Sequence, residues 1–99
     1  MIIVREVFIA RPGMASKLAQ MFKEMMSQGG MGRGRNSKVM TDMTGVFNKV
    51  VLEAEYEDVA AFDKDMQEFM SRPSQAPDPS KPSHTDMYMQ GKREIFRVW

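Results

Sequence analysis

The sequence predicts an α+β protein of the ferredoxin-like βαββαβ kind, a four-stranded antiparallel sheet with two helices on one face. Three observations predict it. Residues 2–10, 35–42, 46–56 and 92–99 read as strands, most of them rich in β-branched and aromatic side chains. Residues 14–25 and 59–69 carry apolar side chains at the three- and four-residue steps of a helix. Glycine, proline and turn residues stand between these stretches, and their order is the split βαβ arrangement.

The first strand, IIVREVFIA, places Val4, Glu6 and Phe8 on one face and Ile3, Arg5, Val7 and Ile9 on the other. Both faces are largely apolar, so both should be covered. The RPG at 11–13 breaks the strand. Met14, Leu18, Met21, Phe22 and Met25 then form a helical stripe. Gly29 and Gly30 have the chemistry of a helix C-cap, and Gly32 and Gly34 read as slack before strand two. Strand two covers Arg35 to Asp42, and a tight MTG turn leads to strand three, Val46 to Tyr56. Its even residues, Val50, Leu52, Ala54 and Tyr56 among them, read as core. Asp58 is a suitable N-cap for a second helix with the stripe Val59, Phe62, Met66 and Phe69, and Pro73 ends it. A proline-rich loop from 71 to 91 follows, and KREIFRVW is the last strand.

With 99 residues, 42% of them hydrophobic and 27% charged, the chain is one domain of ordinary globular composition. A formal net charge of +1 gives no global reason to bind nucleic acid or membrane. Residues 53–68 are strongly acidic while 29–41 are basic, an asymmetry able to orient partners. The absence of cysteine excludes disulfides, thiolate metal sites and a cysteine nucleophile. The opening MIIVREVF reaches Arg5 and Glu6 too early for the apolar core of a signal peptide, and no run is long enough to span a bilayer. A cytoplasmic location is the expectation. The 12 methionines suit an adaptable core.

Two helices on one face leave the other with Phe47, Val51, Ile95, Trp99 and one side of strand one. A bare apolar sheet face calls for a cover, and the simplest is a second copy of the chain. Homodimerisation through that face is therefore expected. Arg5, Glu53, Arg93 and Arg97 are expected to converge there, either as a site for a polar aromatic ligand with Tyr88 and Trp99 as walls or as a polar network within the dimer interface.

His84 is the sole histidine and lies in SHTDMY, near Asp86. It reads either as a general base or haem ligand, or as a solvated loop residue. The loop itself reads equally as a lid over a site or as an arm bracing a dimer. A single histidine without cysteine does not make a closed metal site. In GGMGRGRN and its continuation, Arg33, Arg35 and Lys38 form a small basic patch without an aromatic residue for base stacking or the spacing of a phosphate-binding loop.

The opening VREVFIARPGMASKLAQMF, the hairpin and helix TDMTGVFNKVVLEAEYEDVAAFDKDM and the closing GKREIFRVW together resemble the dimeric α/β-barrel superfamily, with its antibiotic-biosynthesis-monooxygenase-like and NIPSNAP-like domains. The resemblance implies sheets packed face to face and a cleft in each protomer between sheet and helices or loops. Haem-degrading members use an asparagine on the first strand, a tryptophan on the third and a histidine on the second helix; this chain has none of the three there. Cofactor-free monooxygenase members use asparagine, tryptophan and arginine; Asn36, Asn48, Trp99, Arg5 and Arg97 are present here without matching position by position. The expected catalytic residues are His84, Tyr88 and Arg97, with Arg5 and Trp99 binding substrate and no cofactor or metal. Three functions follow: cofactor-independent oxygenation or isomerisation of a small apolar or aromatic molecule, a non-catalytic ligand-binding or structural dimer, and an RNA-associated role for the basic loop.

Overall fold

The computed structural model describes residues 1–27, 34–71 and 86–99. Its elements follow the predicted order: β1 (Ile2–Ala10), α1 (Ala15–Ser27), β2 (Arg35–Thr41), β3 (Lys49–Tyr56), α2 (Val59–Met70) and β4 (Tyr88–Arg97). The strands form one sheet in the order β2-β3-β1-β4, with every neighbouring pair antiparallel. No described helix is long and apolar enough to cross a membrane.

Both helices lie on the face that carries the even residues of β1 and β3, because those positions supply the apolar surface. Under α1, Leu18 and Phe22 pack with Ala10, Val50, Leu52 and Met87. Under α2, Phe62 packs with Ile2 and Val4. The Phe22 ring sits 5.0 Å from that of Phe8, so the helix stripe meets the even face of the sheet. Asp58 caps α2 as its position suggests, its side chain accepting the Ala61 N–H at 2.8 Å.

Three boundaries differ from the sequence reading. The β2–β3 connection is longer than a three-residue turn, because Gly45 and Asn48 adopt positive φ (102° and 64°) and Lys49 N–H donates to the Asp42 side chain at 2.9 Å. Asparagine tolerates the left-handed region, so extended pairing starts at Lys49, not Val46. Phe47 is left on this connection, 82% exposed. At the other end, β4 begins at Tyr88, inside the stretch read as loop, and Val98 and Trp99 lie beyond it. The Gly29–Gly30 cap falls outside the described residues. Gly34 is not slack: a β-carbon there would lie 2.6 Å from the Ala54 Cβ and 3.1 Å from the Tyr56 ring.

Register settles which side chains share a face. Across β1–β4, Val4 opposes Ile95, Glu6 opposes Arg93 and Ile2 opposes Arg97, which puts the odd residues of β4 on the helix side. Phe96 opposes Ile3 and takes the place expected of Ile95 on the open face. The expected convergence of Arg5, Glu53, Arg93 and Arg97 therefore divides in two. Arg5 and Glu53 oppose each other on the open face, whereas Arg93 and Arg97 point to the helix side. A strand's two faces alternate with period two, so a pairing parity unknown from sequence reassigns every residue of β4.

Candidate functional site

Where the C-terminal turn of α1 parts from α2, the even face of the sheet is left uncovered and a cleft of about 160 Å³ opens. Its walls are apolar: Val4, Phe8 and Leu52 from the sheet, Met26 from α1, and Phe62, Met66 and Phe69 from α2. Its polar residues are Glu6, Ser37, Glu53, Tyr56, Asp65 and Arg93, of which Glu53 turns its carboxylate to Arg5 and Lys38 on the open face. The site sits on rigid elements, and few polar groups against apolar walls is the usual composition of a small-molecule site.

Four of these side chains form two pairs within the cleft. Arg93, opposite Glu6 in the register, brings its Nε to 2.5 Å from Glu6 Oε1. The same guanidinium lies over the Phe62 ring, 5.0 Å from its centre, an arrangement that holds the planar group from its face as well as its edge. Deeper in, the Tyr56 hydroxyl donates to Asp65 Oδ2 at 2.6 Å, and Asp65 is the buried charged residue of α2. The Gly34 backbone N–H also bonds the phenol oxygen. Burial pushes the Tyr56 phenol above the ordinary tyrosine range, and the hydrogen bond to Asp65 and the negative charges of Asp65 and Glu6 push it the same way. The Gly34 N–H pulls weakly against them. Tyr56 is thus held neutral, with its proton committed to Asp65.

Glu6 and Arg93 keep hydrogen-bonding capacity. Arg93 spends its Nε, and its two terminal amino groups have no partner among the described residues. Glu6 spends Oε1, and Oε2 likewise has none. An acceptor and a forked donor thus stand side by side at one end of an apolar cleft.

The residues expected from sequence lie elsewhere. His84 is outside the described residues. Tyr88 is half-buried at the start of β4, its ring 4.7 Å from Phe8, packed against the α1 core. Arg97 is exposed at the end of β4, and Trp99 is fully exposed beyond it. Arg5 crosses the open face, its Nε 3.4 Å from Glu53 Oε1, while Lys38 Nζ lies 3.2 Å from Glu53 Oε2. None of these four described residues lines the cleft. Of the basic patch, Arg33 is outside the described residues, Arg35 opposes Glu55 and Lys38 is paired with Glu53, so the patch is largely answered by carboxylates. No group of three or more His, Cys, Asp or Glu that could hold a metal occurs among the described residues.

Glu6 and Asp65 carry a signal that could have found them. Glu6 is an acid between Val4 and Phe8 on an otherwise apolar strand face. Asp65 stands on the apolar stripe of α2, three residues past Phe62. A charge on a core-facing position is costly unless it is paired, so each marks a polar cluster.

No protein-family model and no curated protein matches the chain. Solved structures do. An uncharacterised NIPSNAP domain protein from Burkholderia xenovorans superposes with a TM-score of 0.78 at 15% identity, covering 100% of this chain and 95% of its own. A NIPSNAP family protein from Agrobacterium tumefaciens gives 0.76 at 12% identity, over 97% and 90%. A candidate antibiotic biosynthesis monooxygenase from Deinococcus radiodurans gives 0.65 at 13% identity, over 100% and 93%. What is shared at these identities is architecture: the chain has the ferredoxin-like βαββαβ fold of the NIPSNAP and antibiotic-biosynthesis-monooxygenase-like structures.

Proposed function

We propose that this protein is a homodimer that binds a small apolar or aromatic molecule in the cleft between sheet and helices, and that Glu6 moves a proton on it. The observation that carries the reading is the Glu6–Arg93 pair, a carboxylate with one free oxygen beside an unspent guanidinium edge, at the end of an apolar cleft. Glu6 Oε2 accepts a proton from an acidic C–H or O–H of the ligand, and Arg93 stabilises the negative charge left on its oxygen. Returning the proton to a different carbon is an isomerisation. Reaction of the same carbanion with dioxygen is the first step of a cofactor-independent oxygenation. The likeness in fold to a candidate antibiotic biosynthesis monooxygenase is compatible with the second outcome.

The test is deuterium exchange of an enolisable aromatic ketone in heavy water. The wild-type chain should catalyse the exchange, and Glu6→Gln should slow it by about 10²–10⁴-fold. Equal rates for the two proteins reject Glu6 as the base. A non-catalytic binder is the second reading, favoured by one observation: Tyr56 and Asp65 are already bonded to each other and are poorly placed to react. Ligand binding without exchange would select it.

Support for the homodimer comes from the open sheet face. Ile3, Val7, Ile9, Met40, Val51 and Phe96 share it with the Arg5–Glu53–Lys38 cluster. The charged cluster leaves apolar side chains such as Ile3, Met40 and Phe96 around it, the kind of surface a second sheet covers. Light scattering at micromolar concentration should return twice the chain mass, and a monomer rejects the assembly.

A further inference from the structure

The polar end of the cleft also states what kind of ligand head it accepts. Glu6 and Asp65 bring two carboxylates to the site and Arg93 brings one cation, while the third lining carboxylate, Glu53, is answered by Arg5 and Lys38. The Tyr56 hydroxyl is spent on Asp65, and Ser37 at the rim donates to the Gly34 carbonyl at 2.9 Å. The capacity left over is one acceptor, Glu6 Oε2, and one donor edge, the Arg93 terminal amino groups, fixed side by side by their own ion pair. A ligand carboxylate would satisfy the guanidinium but set a third negative charge against Glu6, with no proton to offer it. A neutral head that donates to Glu6 and accepts from Arg93 satisfies both without that repulsion. Cavity size limits the rest of the molecule, since a cavity of roughly 150 Å³ lined by apolar side chains takes up benzene.

We infer that the cleft takes a neutral, single-ring apolar molecule whose planar head carries a hydrogen-bond donor beside an acceptor, a primary amide being the simplest case, in preference to the corresponding acid. The inference rests on the cleft being the binding site. Its logic is that of a site built to hydrogen-bond a donor group, which turns away analogues that leave its own polar atoms unpaired.

Benzamide and benzoate are a matched pair of probes at neutral pH, equal in ring and nearly equal in size. Titration of each into full-length protein carrying 13C-methyl methionine reads the site directly, because Met26 and Met66 line the cleft. Benzamide should shift those two methyl signals and bind at least about tenfold more tightly than benzoate, the like charges opposing the acid. In Glu6→Gln one of the two carboxylates is gone and Arg93 is released, so the preference should shrink or invert. Benzoate binding as tightly as benzamide to the wild type overturns the inference and leaves the cleft reading standing. A preference unchanged in Glu6→Gln overturns it too, since the selectivity would then come from hydrophobicity alone. Methyl signals that respond to neither probe overturn the cleft reading and this inference with it. The wild-type comparison needs no variant, so a poorly folded Glu6→Gln does not remove the test.

Discussion

At Tyr56 three constraints meet: a buried carboxylate accepts its proton, a backbone N–H reaches its oxygen, and a glycine backbone lies against its ring. Tyr56→Phe removes the hydroxyl and leaves Asp65 short of a donor, which should cost about 1.5–3 kcal/mol, the range for a hydrogen bond to a charged group. Urea denaturation measures it. The sign of the pH dependence follows from the raised phenol. Below about pH 10, the ordinary tyrosine value, both folded and unfolded chains keep the proton and the bond counts in full. Above it the unfolded chain ionises while the fold retains the proton, so wild-type stability should fall as pH rises, and Tyr56→Phe should lose that part of the slope. Comparing the two proteins across the alkaline range isolates Tyr56 from other groups that titrate there. Gly34→Ala tests the contact on the other side of the ring. Its β-carbon would meet Ala54 at 2.6 Å, so a loss of about 1–3 kcal/mol is expected, with part recovered in Gly34→Ala/Ala54→Gly. A neutral Gly34→Ala would mean that the start of β2 can move aside.

The helices were legible in the sequence because their signal is internal. The stripes of α1 and α2 and the Asp58 cap are properties of consecutive residues, and each is found where the letters put it, except that Val59 at the start of the α2 stripe is exposed. Asp58→Ala should accordingly cost about 0.5–2 kcal/mol, read as a lower melting temperature, by leaving the first turn of α2 without its acceptor. Strands carry less of their own description. The apolar alternation of β4 shows that it has two faces, but only pairing with β1 says which face meets the helices. That parity moved Arg93 into the cleft and Phe96 out of it. Strand ends are hidden in the sequence for a related reason. Asn48 sits in an alternating run, yet its left-handed backbone ends the pairing, and Tyr88–Gly91 resembles a loop until it lies beside Ala10 to Phe8. The cleft was legible only in part: an acid on a core face can be read from Glu6 or Asp65, but not which basic or phenolic group will answer it.

For the molecule as a whole, the sheet separates two surfaces. One is covered by α1 and α2 except at the cleft and along β4, where Ile95 and Arg97 stay exposed, and the other presents Ile3, Met40 and Phe96 around a charged cluster. If that open face joins two copies, Phe96→Asp, at a side chain 46% exposed in the single chain, should halve the mass seen by light scattering with little change in circular dichroism. A mass unchanged by Phe96→Asp would place the contact elsewhere. The central strand gives this division an evolutionary meaning. Arg5 and Glu6 are adjacent in the chain, yet one faces the open side and the other the cleft. A mutation at an even position of β1 can therefore reshape the cleft without disturbing the open face, and a mutation at an odd position can do the reverse. Two traits that share a strand are free to drift apart, which is one physical route by which a single fold comes to serve many chemistries.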